Sequence, residues 1–411
     1  MSSESVLFAN NLDYKLPTPS SVVTNRVLKR NYFQNRSYGE GQTMVCTLST
    51  GTDQVDLKNS SLVLQIKTSK NAVGTNYQAD FGEGSAVNLV KNMRINHRSG
   101  TTYTNTQKLN QWRKVQDRYN ESSQWFASVG SLMGYDQKLD FGTTAGREET
   151  KLAIIPLSHL HPFFAPEGGK LLPSVMASGM RIEIDLEAAA TAFYERALID
   201  TGSLGSYEIL GCYIETMNIS LMDSAQASLN TVAQQSSLEY VFKDIFTSQN
   251  SHPSNNTQVN IDVNKSVAFA DTAYAIVQPQ ANLNDIEIDG FRTQYISGKF
   301  DWTLGSNHYP NVKIDNEPSA YHTALVTFDK FKSMVPTDVT FEKFLASDGV
   351  YAVSLERDTA LALSQSPVNA SRALRFELAF DTAPTTASLI TVYMSYLTSV
   401  RSTLLSSRVD I

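Results

Sequence analysis

Cys46 and Cys212 are the only cysteines in this 411-residue chain. One lies in each half, so they supply no disulfide framework. Histidine occurs 6 times, and charged residues reach only 18%. No window approaches the roughly 20 consecutive apolar residues that a bilayer-spanning helix needs. The opening MSSESVLFANNLDYKLP lacks a basic start followed by an apolar run, so no secretory leader is expected and the chain is expected to be made in the cytosol. Gly-rich phosphate loops, Ser/His/Asp signatures and a Cys paired with His are missing as well. The GxG of Gly82 and Gly84 has no strand–helix context to support it. A formal net charge of −7 argues against a protein that coats nucleic acid by neutralising its phosphates. The N-x-S/T matches, Asn218 among them, are expected to be chance in so Asn- and Ser-rich a chain. Asn218 lies inside an apolar strand pattern where a glycan would not fit.

The chain is rich in apolar residues at 41%, in aromatics at 10%, and in Ser, Thr and Asn. That mixture suits strands joined by polar turns better than helical bundles. The length allows two domains or one large all-β unit. GQTMVCTLS and SSLVLQIKTS read as strands, with TGTDQVDLKN turning between them.

Internal repetition decides between these organisations. MRIEIDLE, Met180 to Glu187, returns as LRFELAFD, Leu374 to Asp381. Met180, Ile182, Ile184 and Leu186 match Leu374, Phe376, Leu378 and Phe380 on one face. Arg181, Glu183 and Glu187 match Arg375, Glu377 and Asp381 on the other, and only Asp185 opposite Ala379 breaks the series. Each copy predicts a half-buried strand with a charged outer row. The neighbours repeat too. Met93 and Ile95 in SAVNLVKNMRINHRSG precede an amphipathic helix over about Asn105 to Ser122, and Val312 and Ile314 precede a helical stripe of Tyr321, Ala324, Leu325, Phe328 and Phe331. YEILGCYIETMNISLM and SLITVYMSYLTSVR are long closing strands. The expected organisation is an N-terminal arm over 1–30, a first β-sandwich over 31–222, a small polar linker over 223–237 and a second sandwich over 238–411.

The passage Ile154 to Glu187, IIPLSHLHPFFAPEGGKLLPSVMASGMRIEIDLE, resembles the double jelly-roll major capsid proteins of double-stranded DNA viruses, including polinton-like viruses, virophages and large nucleocytoplasmic viruses. Ile155-Pro156-Leu157, Leu171-Leu172-Pro173 and the strand from Met180 to Leu186 carry the likeness, and GSAVNLVKNMRINHRSG looks like the strand and turn before that family's first-domain helix. The resemblance implies an all-β fold of two tandem jelly rolls with short helices in the connections. It further implies a non-enzymatic structural protein forming a homotrimeric, pseudo-hexameric capsomer that tiles an icosahedral shell. Neighbouring capsomers, penton and minor cement proteins are the implied partners, with no cofactor and no sequence-specific nucleic-acid binding. The virion capsid is the implied location. The chain is short for the family, which puts any receptor-binding tower in doubt.

Residue chemistry raises other readings. His159 and His161 are spaced to share one side of a strand and face a metal, but zinc needs a third protein ligand and none forms a recognisable set with them. A loop edge before Pro162 is the preferred reading. Glu183, Asp185 and Glu187 could seat a glycosidase-like acid pair; a charge row partly neutralised by Arg181 is preferred. Lys91, Arg94, Arg98, Lys108, Arg113, Lys114 and Arg118, against Asp117 alone, form either a surface facing DNA or an acidic neighbour, or two faces that never meet. The rival function is a carbohydrate-binding or carbohydrate-cleaving protein of two β-sandwiches, for which Asp285 to Gly290 is a loose calcium-loop approach, though Ile286, Glu287, Ile288 and Asp289 alternate as a strand instead. No catalytic, cofactor-binding or metal-binding residue is assigned.

Overall fold

The computed structural model describes residues 22–70, 77–82, 84–135, 139–142, 148–196, 204–235, 237–284, 289, 291–331, 333, 337–356, 366–403 and 407–410. The chain folds mainly as strands, and its first eight principal ones are β1 (Val23–Tyr32), β2 (Thr43–Thr47), β3 (Gln54–Lys70), β4 (Val90–Asn96), β5 (Thr102–Thr106), β6 (Glu148–Pro156), β7 (Arg181–Leu186) and β8 (Leu204–Leu221). They form two antiparallel sheets, ordered β1-β8-β3-β6 and β2-β7-β4-β5. The next eight are β9 (Leu238–His252), β10 (Gln258–Val263), β11 (Val267–Pro279), β12 (Gly298–Leu304), β13 (Asn307–Ile314), β14 (Tyr351–Ser354), β15 (Leu374–Phe380) and β16 (Ser388–Ser402). Their sheets run β9-β16-β11-β14 and β10-β15-β12-β13. Raising every number in the first pair of sheets by eight produces the second pair. That strand order, twice, is the jelly roll. A short strand, β17 (Ser407–Asp410), adds to β16, and a small sheet joins Tyr194–Arg196, Tyr77–Asp80 and Leu139–Gly142.

Two-residue periodicity explains the layers. In β7, Ile182, Ile184 and Leu186 are buried while Arg181 is exposed and Glu183 and Asp185 lie half-buried. In β15, Leu374, Phe376, Leu378 and Phe380 point into the core and Arg375 out of it. The two repeated octapeptides therefore surround the seventh strand of each jelly roll. Both cysteines lie in the first jelly roll, Cys46 in β2 and Cys212 in β8, rather than one in each repeat. Both are free and buried, and burial pushes each thiol up to about 12.

Several expectations are corrected. Residues 23–30, placed in the N-terminal arm, belong to β1 and pair with β8. Residues 54–59, expected to turn, extend β3, with Val55 and Leu57 buried; the turn is confined to 50–53 around Gly51 at φ 65°. The expected linker is the helix α2, Asp223–Gln235. Its residues are small and polar but include no Gly or Pro, and Ala, Gln and Leu favour helix. The first helix, α1, is shorter than expected, Leu109–Asn120, and the second, α3, covers Glu317–Thr327. Only part of the α3 stripe is buried: Ala324 and the adjacent Phe328 pack inward, whereas Phe331 is 56% exposed.

The counterpart of Ile95 also differs from the expected Ile314. Ile95 pairs with Ile182 of β7, and the residue in that place in the second jelly roll is Trp302, paired with Phe376 of β15. Ile314 instead belongs to β13, the strand corresponding to β5. A register break between Phe300 and Trp302 lets residues 310–313 bulge outward. Ile314 is buried, and Val312, expected on the same inner face, is 77% exposed.

Candidate functional site: the seam between the sandwiches and the exposed strand

The basic run from Lys91 to Arg118 is largely paired with carboxylates. Lys114 Nζ lies 2.8 Å from Asp289 Oδ2, and Arg118 engages Asp348 at 3.2 Å together with Asp338. These acids belong to the second half of the chain, so α1 is a peg of the first jelly roll set into the second. Tyr119 reinforces it: its hydroxyl donates to the Asp348 carbonyl at 2.9 Å, and its ring stacks on Phe328 at 4.4 Å. Arg113 holds Asp117 of the same helix and also reaches the His159 ring, while Lys91 and Lys108 flank Glu187 and Arg94 meets Glu183. The reading of two faces that never meet is corrected here, since Lys91 of the strand and Lys108 before the helix converge on Glu187. The alternative of a surface facing DNA gains nothing from cations already paired with acids. The positive charge is spent locally, much of it inside the seam.

Aromatic packing continues that seam. Phe163 is fully buried, with ring centroids 5.7 Å from Tyr103, 5.3 Å from Tyr240 and 4.9 Å from Phe242, and the Tyr240 hydroxyl donates to its carbonyl at 2.6 Å. Nearby, Asp244 accepts from Thr104 Oγ1 at 2.5 Å and from the Tyr396 hydroxyl at 2.6 Å. Burial raises the Asp244 carboxyl above its usual range, and those hydrogen bonds only partly offset it. An aromatic and hydrogen-bonded contact of this kind holds two domains in one orientation, where a small polar interface lets them swing.

The two histidines do not converge on a metal. His159 stacks on Trp125 at 4.8 Å and places Nε2 3.0 Å from Asp117 Oδ1. Burial opposes charge on Asp117, but Arg113, His159 and hydrogen bonds from His159 and Tyr135 outweigh it and hold the carboxyl below its usual range. His161 is fully buried: Nδ1 accepts from the Phe163 amide at 3.0 Å and Nε2 donates to Thr106 Oγ1 at 2.8 Å. Burial drives its pKa down to about 3, so it is a neutral structural group.

The carboxylate row also dissolves. Glu183 is paired with Arg181 and Arg94, and Asp185 accepts from Thr43 and Asn92. Glu187 leaves the row, because a register shift after Asp185 turns it inward to a 3% exposed position, where Asn110 also donates to it. Of the stretch Asp285 to Gly290, only Asp289 is among the described residues; it accepts from the Phe291 amide and from Lys114. Gly82 has φ 62°, and a Cβ there would stand 2.7 Å from Asp289 Oδ2, so a carboxylate lies against the glycine. Asn218 is buried in β8, as expected for a chance glycosylation match. Among the described residues no cluster of three or more His, Cys, Asp or Glu is placed to hold a metal ion.

What the sequence reading missed is the exposed apolar surface of β1. Val23, Val27 and Leu28 are each about half exposed, Tyr32 is 66% exposed, and Met222 lies beside the same edge. Among the described residues β1 is an edge strand paired with β8 only. An edge of this kind is an open template for association.

No protein-family model and no curated protein sequence matches the chain. Solved structures do. The Faustovirus major capsid protein superimposes with a TM-score of 0.69 over 98% of this chain and 94% of its own, at 8% identity. A chain of the PBCV-1 virus capsid model matches with a TM-score of 0.64 over 97% and 99%, at 12% identity. One from the Sputnik virophage structure matches with 0.63 over 98% and 92%, at 10% identity. The chain has the double jelly-roll fold of these capsid proteins. At such identities the likeness is one of architecture, and it spans both jelly rolls.

Proposed function

We propose that this protein is a structural major capsid protein whose two jelly rolls form one rigid building block. Three copies would close head-to-tail into a homotrimer with six similar wedges, a pseudo-hexameric capsomer that tiles an icosahedral shell. The observation that carries the reading is the repeated strand order, joined through α1 and the Phe163 cluster into a single body. A rigid pair of like domains has the outline a near-sixfold lattice needs. The exposed apolar residues of β1 supply surface for contacts between copies. Neighbouring capsomers, penton and minor cement proteins are the further partners, the virion capsid is the location, and synthesis is in the host cytoplasm. The reading assigns the chain contact rather than turnover.

The carbohydrate alternative gains nothing from the geometry, since Glu183 is ion-paired and Glu187 is buried against two lysines. Sedimentation of the purified protein tests the proposal. A species of three times the 45.4 kDa chain mass is expected, and a chain that stays monomeric at high concentration overturns it.

A further inference from the structure

A cleft of about 300 Å³ opens at one end of the second jelly roll, where the start of β12, the ends of β13 and β15 and the first turn of α3 meet. Asp315, Glu317 and Asp381 line it together with Tyr295, Ser297 and Asn316. Their bonds to one another are few: Ser297 Oγ donates to Glu317 at 2.8 Å, and Asn316 Nδ2 to Asp315 at 3.1 Å. Tyr295 is only 7% exposed, and its hydroxyl has no hydrogen-bond partner among the described residues. Its ring is fixed against Phe344 at 5.0 Å and Tyr351 at 5.3 Å. Burial pushes the phenol up to about 12, and the charges of Glu317 and Asp381 act in the same direction, as expected of a hydroxyl set beside them.

The first jelly roll holds the same corner in a different state. Glu187 follows β7 as Asp381 follows β15, and Lys108 precedes α1 as Asn316 precedes α3. In that corner Lys91 reaches Glu187 at 3.6 Å and Lys108 reaches it at 3.4 Å, so two ammonium groups from the chain itself occupy the space. In the second corner the place of Lys108 is taken by Asn316, and Gly298 opens the strand across from Phe380. No side chain fits at Gly298, because a Cβ there would stand 2.5 Å from the Ala379 carbonyl oxygen. The acidic corner is thus built twice and filled internally once.

We propose that the cleft binds an alkylammonium group that replaces the ammonium groups filling the first corner, carried either by a free di- or polyamine or by a lysine of a second chain. A divalent metal fits less well, since these carboxylates are not grouped closely enough to share an ion. The inference rests on the duplicated corner and stands whether or not the chain builds a shell.

Calorimetric titration of putrescine and spermidine into the full-length protein at low ionic strength tests it, with calcium as a parallel titrant. The variants are Glu317→Gln with Asp381→Asn, which keeps shape while removing charge, and Asn316→Lys, which supplies an internal ammonium. The free-amine source predicts one saturable site, weakened at least tenfold by either variant. The lysine source predicts no amine heat but a self-association constant lowered at least tenfold by the same variants in sedimentation. Amine binding that neither variant alters overturns the proposal. So does calcium binding lost in the double variant without amine binding, and so does the absence of both amine binding and an association effect. A monomeric chain that binds amines would support this site while contradicting the capsid reading.

Discussion

Replacing Arg118 with leucine removes a cation set deep in the seam. The Arg118 side chain is 8% exposed and Asp348 is 4% exposed, with contacts of 3.3 Å from Nε and 3.2 Å from Nη2. Breaking a buried pair by deleting one partner costs about 3–5 kcal/mol, because the remaining charge stays buried without compensation. Two features here favour the lower end. Asp338 keeps Lys343 at 3.1 Å, and Asp348 keeps the Ser347 hydroxyl at 3.0 Å. The expected loss is therefore about 3 kcal/mol. Urea denaturation of the wild type, Arg118→Leu, Asp348→Asn and the double variant forms the cycle. The double variant should lose less than the sum of the singles by about 2 kcal/mol, since the neutral amide introduced by Asp348→Asn leaves no charge stranded at that position. Unfolding followed by probes in each half should also separate once the seam is weakened. A loss under about 1 kcal/mol, or strict additivity, would refute the claim that this pair locks the jelly rolls together.

The remaining expectations concern the same seam and its charges. Phe163→Ala should destabilise by about 3–5 kcal/mol in thermal or urea unfolding, because the ring is fully buried among Tyr103, Tyr240 and Phe242; a loss under about 1 kcal/mol would deny the cluster its role. His161 holds fewer protons folded than unfolded between about 3 and 6.5, so its contribution to stability falls as pH drops through that window. Lowering the pH to 5 should cost about 2 kcal/mol from this group, and His161→Gln should flatten that slope; an unchanged slope would contradict it. Duplex DNA at physiological salt should bind weakly, because Lys114, Arg118 and their neighbours already face carboxylates; tight binding with a steep salt dependence would contradict that pairing.

Much of the fold was legible because strand periodicity is local. Ile182, Ile184 and Leu186 announce an inward face through alternation alone, and so do Leu374, Phe376, Leu378 and Phe380. The octapeptides they lie in therefore marked equivalent strands. The match of Ile95 to Ile314 failed because a bulge in β13 breaks the alternation there, while Trp302, the true counterpart, lay in a short strand with no repeated neighbour. α2 was read as linker because its small polar residues offer no apolar stripe, and only Ala233 of that helix is buried.

The seam was not legible for a different reason. Lys114 and its acid are 175 positions apart, and Arg118 and Asp348 are 230 apart, so nothing near either residue signals the other. The burial of Glu187 depends on a register shift and two lysines that meet only after β4, β7 and α1 have packed. Local pattern names strands and faces; the fate of a charge is decided by what the topology brings opposite it.

Electron microscopy of the purified full-length protein in negative stain tests the central claim most directly. The account predicts compact three-chain particles with six lobes, two rigidly joined lobes from each chain. Single chains, or pairs of lobes varying widely in mutual orientation, would contradict it.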